Sequence, residues 1–198
     1  MQSNVCKIDH GTKDLAAILK ESEKVAVYNE LTHKQALQLR LICEEIDGML
    51  PAIIDDFNGD LWIEFENGVC RIYISFGFKD FTTEKKDGLV GISKSKKNAA
   101  ANSVVGKIRS ALENVFLDVE PTHEFDISES CYYPMDLRDC TDYSSLWSLD
   151  KYRSTARKDE QAEDWDELEK SVIASVADDV IVGVRGKHAD IIIVKKFA

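Results

Sequence analysis

The sequence predicts an α/β protein of the α+β kind: a two-layer sandwich with helices on one face of a mixed, mostly antiparallel sheet. Two observations carry this prediction. A strongly amphipathic helix precedes a β-hairpin in the first half of the chain. A second helix, followed by a second hairpin, forms the last part of the sequence. Because a helix with one apolar stripe must bury that stripe against another element, two such units favour one sheet under a layer of helices.

Length and charge indicate one acidic domain over residues 1–198. The 198 residues are 44% hydrophobic, which is enough for a sizeable core. The formal net charge of -11 argues against nucleic acid and anionic membranes as general partners. The first residues lack the apolar segment of a signal peptide, and no run is long enough to span a membrane. We therefore expect a cytoplasmic protein.

The five cysteines predict neither a disulfide framework nor a metal site. Their number is odd and no C-x-x-C pair occurs. Cys43 falls in the predicted central helix and Cys70 in a predicted strand, where small buried thiols are common. No spacing typical of zinc ligands connects Cys131 and Cys140 with His123.

The central helix is predicted over residues 31–56. Thr32 and Gln35 form a T-x-x-Q capping box at its start. Gly48 and Pro51 weaken the helix and predict a kink or a close backbone approach. Apolar residues at alternating steps of three and four predict one buried stripe. They are Leu39, Ile42, Ile46, Met49 and Ile53.

Shorter elements surround this helix. A helix over 12–21 and a strand over 25–28 are predicted before it. Strands over 61–65 and 69–76 are predicted after it, joined at Asn67-Gly68, a strong hairpin signal.

The second unit begins with a helix near residue 164 and ends with a hairpin. The predicted strands are 180–184 and 191–194, with a turn at Gly186-Lys187. Another helix is predicted to begin near Ser144. The residues expected in the core are Leu39, Ile42, Ile46, Ile53, Ile72, Ile74, Leu168, Val172, Val182 and Ile192.

Two irregular stretches separate the units, a lid-like insertion at 77–98 and an acidic loop at 118–142. The insertion ends in the most basic part of the chain, just before a predicted helix start at Asn98. Lysines beside a helix N-terminus suit an anion, and the alternative is a solvated, mobile loop whose lysines aid solubility. The candidate anion-binding residues are Gly91, Ser93, Lys94, Ser95, Lys96, Lys97 and Asn98.

Residues 39–49, LRLICEEIDGM, resemble the N-box helix of the GHKL ATPases, the class of gyrase, histidine kinases and anti-sigma-factor kinases. The resemblance implies a Bergerat-like sheet. It assigns Glu45 to the family's general base and Met49 to its magnesium-binding asparagine. Ser75 then takes the place of the adenine-recognising aspartate of D-x-G-x-G, and Gly77 that of its first glycine. Residues 166–171 and 177–186 also resemble the ends of a group of uncharacterised bacterial proteins.

The departures from the GHKL pattern shape the expected function. A thioether is a poor magnesium ligand, so no metal is expected at Met49. A serine at position 75 also loses the carboxylate that would accept from adenine. We expect a regulatory or ligand-binding protein without ATP hydrolysis, with a protein partner and with ATP or another nucleotide as the candidate ligand. The alternatives are a weak nucleotide-binding enzyme or kinase of the anti-sigma-factor type, and a ligand-free interaction module.

Overall fold

A computed structural model describes residues 1–9, 15–54, 56–78, 145–156, 172–185 and 187–197. The described chain alternates helices and strands in two groups, one near each terminus. The elements, in order, are β1 (Cys6–Asp9), α1 (Leu15–Tyr28), α2 (His33–Ile53), β2 (Phe57–Glu66), β3 (Val69–Phe78), β4 (Ser145–Ser148), α3 (Leu149–Ala156), α4 (Val172–Val176), β5 (Asp179–Arg185) and β6 (His188–Lys196).

The six strands form one sheet in the order β1-β2-β3-β6-β5-β4. Every neighbouring pair is antiparallel. The two hairpins lie side by side through β3 and β6, so the first and last parts of the chain share the centre of the sheet. The predicted α+β content and mostly antiparallel sheet are thus confirmed.

Helix α2 is the longest described helix, and its predicted start is confirmed. The Thr32 hydroxyl accepts from the backbone N–H of Gln35, whose side chain accepts from the backbone N–H of Thr32. The predicted stripe packs in the core, where Leu39, Ile42 and Ile46 are fully buried. The helix ends at Ile53, with Pro51 in its last turn.

The strand predicted at 25–28 is wrong, because these residues end helix α1. Val25 and Ala26 extend the buried face that Ile18 and Ser22 begin, at helical spacing. A four-residue apolar run fits either a strand or the end of a helix. Here the helix is favoured because α1 packs against α2. The contact between the two helices includes an ion pair of Arg40 with Glu23 at 3.0 Å.

The predicted start of a helix near Ser144 is also wrong. Ser145–Ser148 is strand β4, and α3 begins only at Leu149. Trp147 pairs with Val182 of β5 and packs against the core. Buried Asp179 accepts from the backbone N–H of Asp150 at 3.0 Å, which caps the new helix.

Both predicted hairpins are confirmed. Asn67 and Gly68 have φ of 50° and 75°, the left-handed values that a two-residue turn between β2 and β3 requires. In the second hairpin Arg185 pairs with His188. Strand β3 continues to Phe78, so the insertion predicted to begin at 77 starts no earlier than 79.

The two faces of the sheet have different environments. Ile72, Ile74 and Phe76 point towards the helices and join a core cluster to which all four described helices contribute. Ile192 is buried, as predicted, and it lies with Ile181 in a second hydrophobic cluster on the opposite face. Val172 is only half-buried, while Leu168 and the 118–142 loop fall outside the described residues, as does the side chain of Ile53.

Candidate functional site

A polar cluster of Ser75, His188 and Asp190 lies on the sheet face opposite α1 and α2. Strand register brings the three together, since Ser75 pairs with Asp190 and Gly77 pairs with His188 across β3 and β6. The Ser75 hydroxyl donates to Oδ1 of Asp190 at 2.6 Å and lies 2.9 Å from Nε2 of His188. The same Nε2 is 3.3 Å from Asp190 Oδ1.

The geometry of the polar cluster suits binding rather than nucleophilic catalysis. In a serine hydrolase triad the imidazole stands between the two partners, with one ring nitrogen on each. Here Ser75 and Asp190 both meet Nε2 of His188. The serine proton is directed at the carboxylate, so the imidazole is not placed to remove it. The cluster offers a hydroxyl, a carboxylate and an imidazole that recognise polar groups.

An ion pair extends the polar cluster towards the sheet edge. Asp60 pairs with Ser75 across β2 and β3, and with Lys7 across β1 and β2. Lys7 Nζ lies 2.6 Å from Asp60 Oδ1, with side-chain exposures of 79% and 17%. Oδ1 of Asp60 is screened from solvent, and the Lys7 ammonium compensates its charge.

Aromatic side chains border the polar cluster on the next row of the sheet. The rings of Trp62 and Tyr73 stack with centroids 5.0 Å apart and planes 5° from parallel. Both side chains are half-buried. The face therefore combines hydrogen-bonding groups with a flat apolar surface, as binding sites commonly do.

The GHKL-derived residues do not meet in one site. Met49 is 3% exposed and belongs to the core between α2 and the sheet. Glu45 is half-buried on α2, whereas Ser75 lies on β3 between buried Ile74 and Phe76 and faces the other way. The sheet itself therefore separates Ser75 from the two helix residues.

The remaining candidates divide between the sheet and the undescribed insertion. Gly77 lies in β3, where an added Cβ would meet the Lys187 carbonyl oxygen at 3.8 Å. That is ordinary contact, so packing does not require glycine there. The anion-binding candidates Gly91, Ser93, Lys94, Ser95, Lys96, Lys97 and Asn98 lie outside the described residues.

The three described cysteines are buried thiols. Burial raises the pKa of the Cys70 thiol to about 12. Burial also raises the pKa of Cys43, and a neighbouring Cys70 adds to the effect. Thiols held protonated in this way are poor nucleophiles. Within the described ranges, no group of three histidine, cysteine, aspartate or glutamate side chains could hold a metal ion.

His188 and Asp190 were missed from the sequence. Their two-residue spacing in a strand does predict a shared face, which is a weak signal. Their meeting with Ser75 depends on the pairing of β3 with β6, across more than a hundred residues of chain, and only the register shows it.

Comparison of the chain with protein-family models, with curated proteins and with solved structures returned no match. Among the described helices, none is both long enough and apolar enough to cross a membrane.

Proposed function

We propose that this protein is a regulatory or ligand-binding protein on a histidine-kinase-like, Bergerat-type fold, and that it does not hydrolyse ATP. The separation of Glu45 and Met49 from Ser75 by the sheet carries the proposal. ATP hydrolysis needs a general base, a metal ion and the phosphate held together in one site. Moving even one of these groups away from the others greatly lowers the rate. A buried methionine also gives a magnesium ion no oxygen ligand.

The polar cluster of Ser75, His188 and Asp190 is the proposed binding surface. Its members are prearranged by backbone pairing and by their own hydrogen bonds, so little ordering is needed when a ligand binds. A ligand that presents polar groups beside a flat ring fits the adjacent Trp62–Tyr73 stack.

Thermal unfolding with ATP and ADP, each with and without magnesium, tests the proposal. A ligand at a hundred times its dissociation constant adds about 2.7 kcal/mol to the free energy of unfolding. Stabilisation without phosphate release supports the proposal. Stabilisation with release would instead make the protein a weak nucleotide-dependent enzyme or kinase, and neither effect would favour a ligand-free interaction module.

Two variants locate any stabilisation that is seen. Ser75→Ala removes the hydroxyl at the centre of the polar cluster and should abolish a response that arises there. Lys96→Ala tests the predicted anion-binding loop, and Lys20→Ala is its matched control on the exposed surface of α1. A response lost only in Lys96→Ala would move the site to that loop.

A further inference from the structure

Helix α2 carries a second stripe, on the side that faces solvent. It repeats at steps of three and four, like the buried stripe, and its apolar members remain uncovered. Leu37 is 51% exposed and Leu41 is 41% exposed. Leucines at such spacing on an outer face form the contact surface of a helix pair. The stripe consists of Lys34, Leu37, Leu41, Glu44 and Gly48.

Within the described part of the chain, packing does not require a glycine at position 48. The residue is exposed, and nothing within 4 Å would meet a Cβ added there. Glycine inside a helix is less favourable than alanine. A bare backbone on an outward face does allow another chain to approach closely.

The charges of α2 select the kind of occupant. Its first half carries Lys34, and its second half carries Glu44, Glu45 and Asp47. Arg40, between them, already pairs with Glu23 at 3.0 Å and with Glu44 at 2.9 Å in its own chain. If a second copy of α2 packs antiparallel, the basic half of each helix lies against the acidic half of the other. A parallel copy would place like charges together, which is unfavourable.

We propose that α2 forms a contact between two copies of this chain, packed antiparallel about a two-fold axis. Leu37 of each copy packs against Leu41 of the other, and this register puts Lys34 opposite Glu44 of the second copy. Gly48, in the C-terminal half of α2, then lies near the second copy's α1–α2 turn, next to which Val27 at the end of α1 is 80% exposed. The contact is isologous, so each pair occurs twice.

The size of the stripe makes the association weak. An interface made of one helix pair and a turn buries a small area, and interfaces of small area are typical of transient complexes. Exposed ion pairs are screened by salt, so association should weaken as ionic strength rises. The dimer is independent of the proposed ligand-binding surface, which lies on the other side of the sheet.

Sedimentation velocity over a wide concentration range tests the proposal, using two charge reversals. Lys34→Glu makes both halves of the contact acidic, and Glu44→Lys makes both basic. Each variant alone should associate at least about tenfold more weakly than wild type, which is 1.4 kcal/mol. An equimolar mixture should recover association, because the mixed dimer holds two attractive pairs. Lys20→Glu and Glu66→Lys are matched controls at exposed positions off the stripe.

Leu41→Glu gives a separate check on the apolar part of the contact, and it should be monomeric at every concentration. Circular dichroism verifies that each variant is folded. A wild-type protein that stays monomeric at the highest concentration overturns the proposal. Stripe variants that behave like their controls, or a mixture that associates no better than its components, overturn it as well.

Discussion

The hydroxyl of Ser75 lies 2.6 Å from Oδ1 of Asp190, across the central β3–β6 pair and on the face opposite α1 and α2. Ser75 stands where the GHKL resemblance puts an adenine-binding aspartate, yet its proton is already given to a neighbouring carboxylate. An aspartate does lie within reach, but it comes from the last strand instead of the third. The polar cluster therefore differs in origin and in direction from the site that the sequence predicts.

Asp190→Ala should lower the free energy of unfolding by about 1–3 kcal/mol, because a part-buried hydroxyl loses its acceptor. Asp190→Asn is the matched control, since its amide oxygen can still accept from Ser75. We expect it to cost less than half as much in urea denaturation. Equal effects of the two variants would mean that the hydrogen bond is unimportant.

Met49→Asn restores the metal ligand of the GHKL pattern, but at a position buried in the core. It should destabilise the protein by about 2–4 kcal/mol, because it buries an amide without partners and removes apolar contacts. It should not create magnesium-dependent nucleotide binding. Leu41→Asn, on the exposed side of the same helix, should cost under about 1 kcal/mol. Chemical denaturation gives both values, and a Met49→Asn protein as stable as wild type would contradict the core assignment.

Two glycines should respond to alanine with opposite signs. A Cβ at Gly59 would lie 2.2 Å from the Ser75 carbonyl oxygen and 2.6 Å from the Phe76 Cβ, where β2 approaches β3. Gly59→Ala should therefore destabilise by more than about 2 kcal/mol, as overpacking typically costs 1–3 kcal/mol. Gly48→Ala meets open space within a helix and should stabilise the monomer by about 0.5–1 kcal/mol. Thermal unfolding at low protein concentration measures the stability change of both variants. Changes of the same sign would contradict the packing described around Gly59 and Gly48.

Glu21 should make the protein less stable in acid. Desolvation acts to raise the pKa of this buried carboxyl, but hydrogen bonds from Lys24 and Asn4 outweigh it, and the pKa is lowered from 4.5. The folded state favours the ionised form of Glu21. Its contribution to the free energy of unfolding is therefore complete above about pH 4.5, and it is lost as the pH falls through the lowered pKa.

Urea denaturation between neutral and acidic pH measures this effect. Glu21→Gln should show a shallower dependence of unfolding free energy on pH, and Asn4→Ala should move partly in the same direction. An unchanged slope in Glu21→Gln would contradict the role assigned to these hydrogen bonds.

Periodicity and turn chemistry predict most of the described fold. The capping box at Thr32, the stripe through Ile46 and the turn at Asn67-Gly68 are local signals, and each is confirmed. The failures occur where tertiary packing decides. The run at 25–28 becomes helix because α2 lies beside it, and 145–148 becomes strand because β5 offers a free edge.

The candidate site is less predictable for the same reason. Position 75 can be found from a motif comparison, but its neighbours His188 and Asp190 are set by the register of two distant strands. Met49 shows the reverse difficulty, since a position that a motif marks as a ligand also fits the apolar stripe of a helix. The structure puts it in that stripe.

Phosphate release from ATP, followed with a sensitive coupled assay on purified protein, tests whether the protein lacks ATP hydrolysis. Because Glu45 and Met49 lie apart from Ser75, we expect release no faster in wild type than in Glu45→Ala, with or without magnesium. Turnover that Glu45→Ala abolishes in a folded protein would contradict the claim, because a contaminating ATPase would not respond to that substitution.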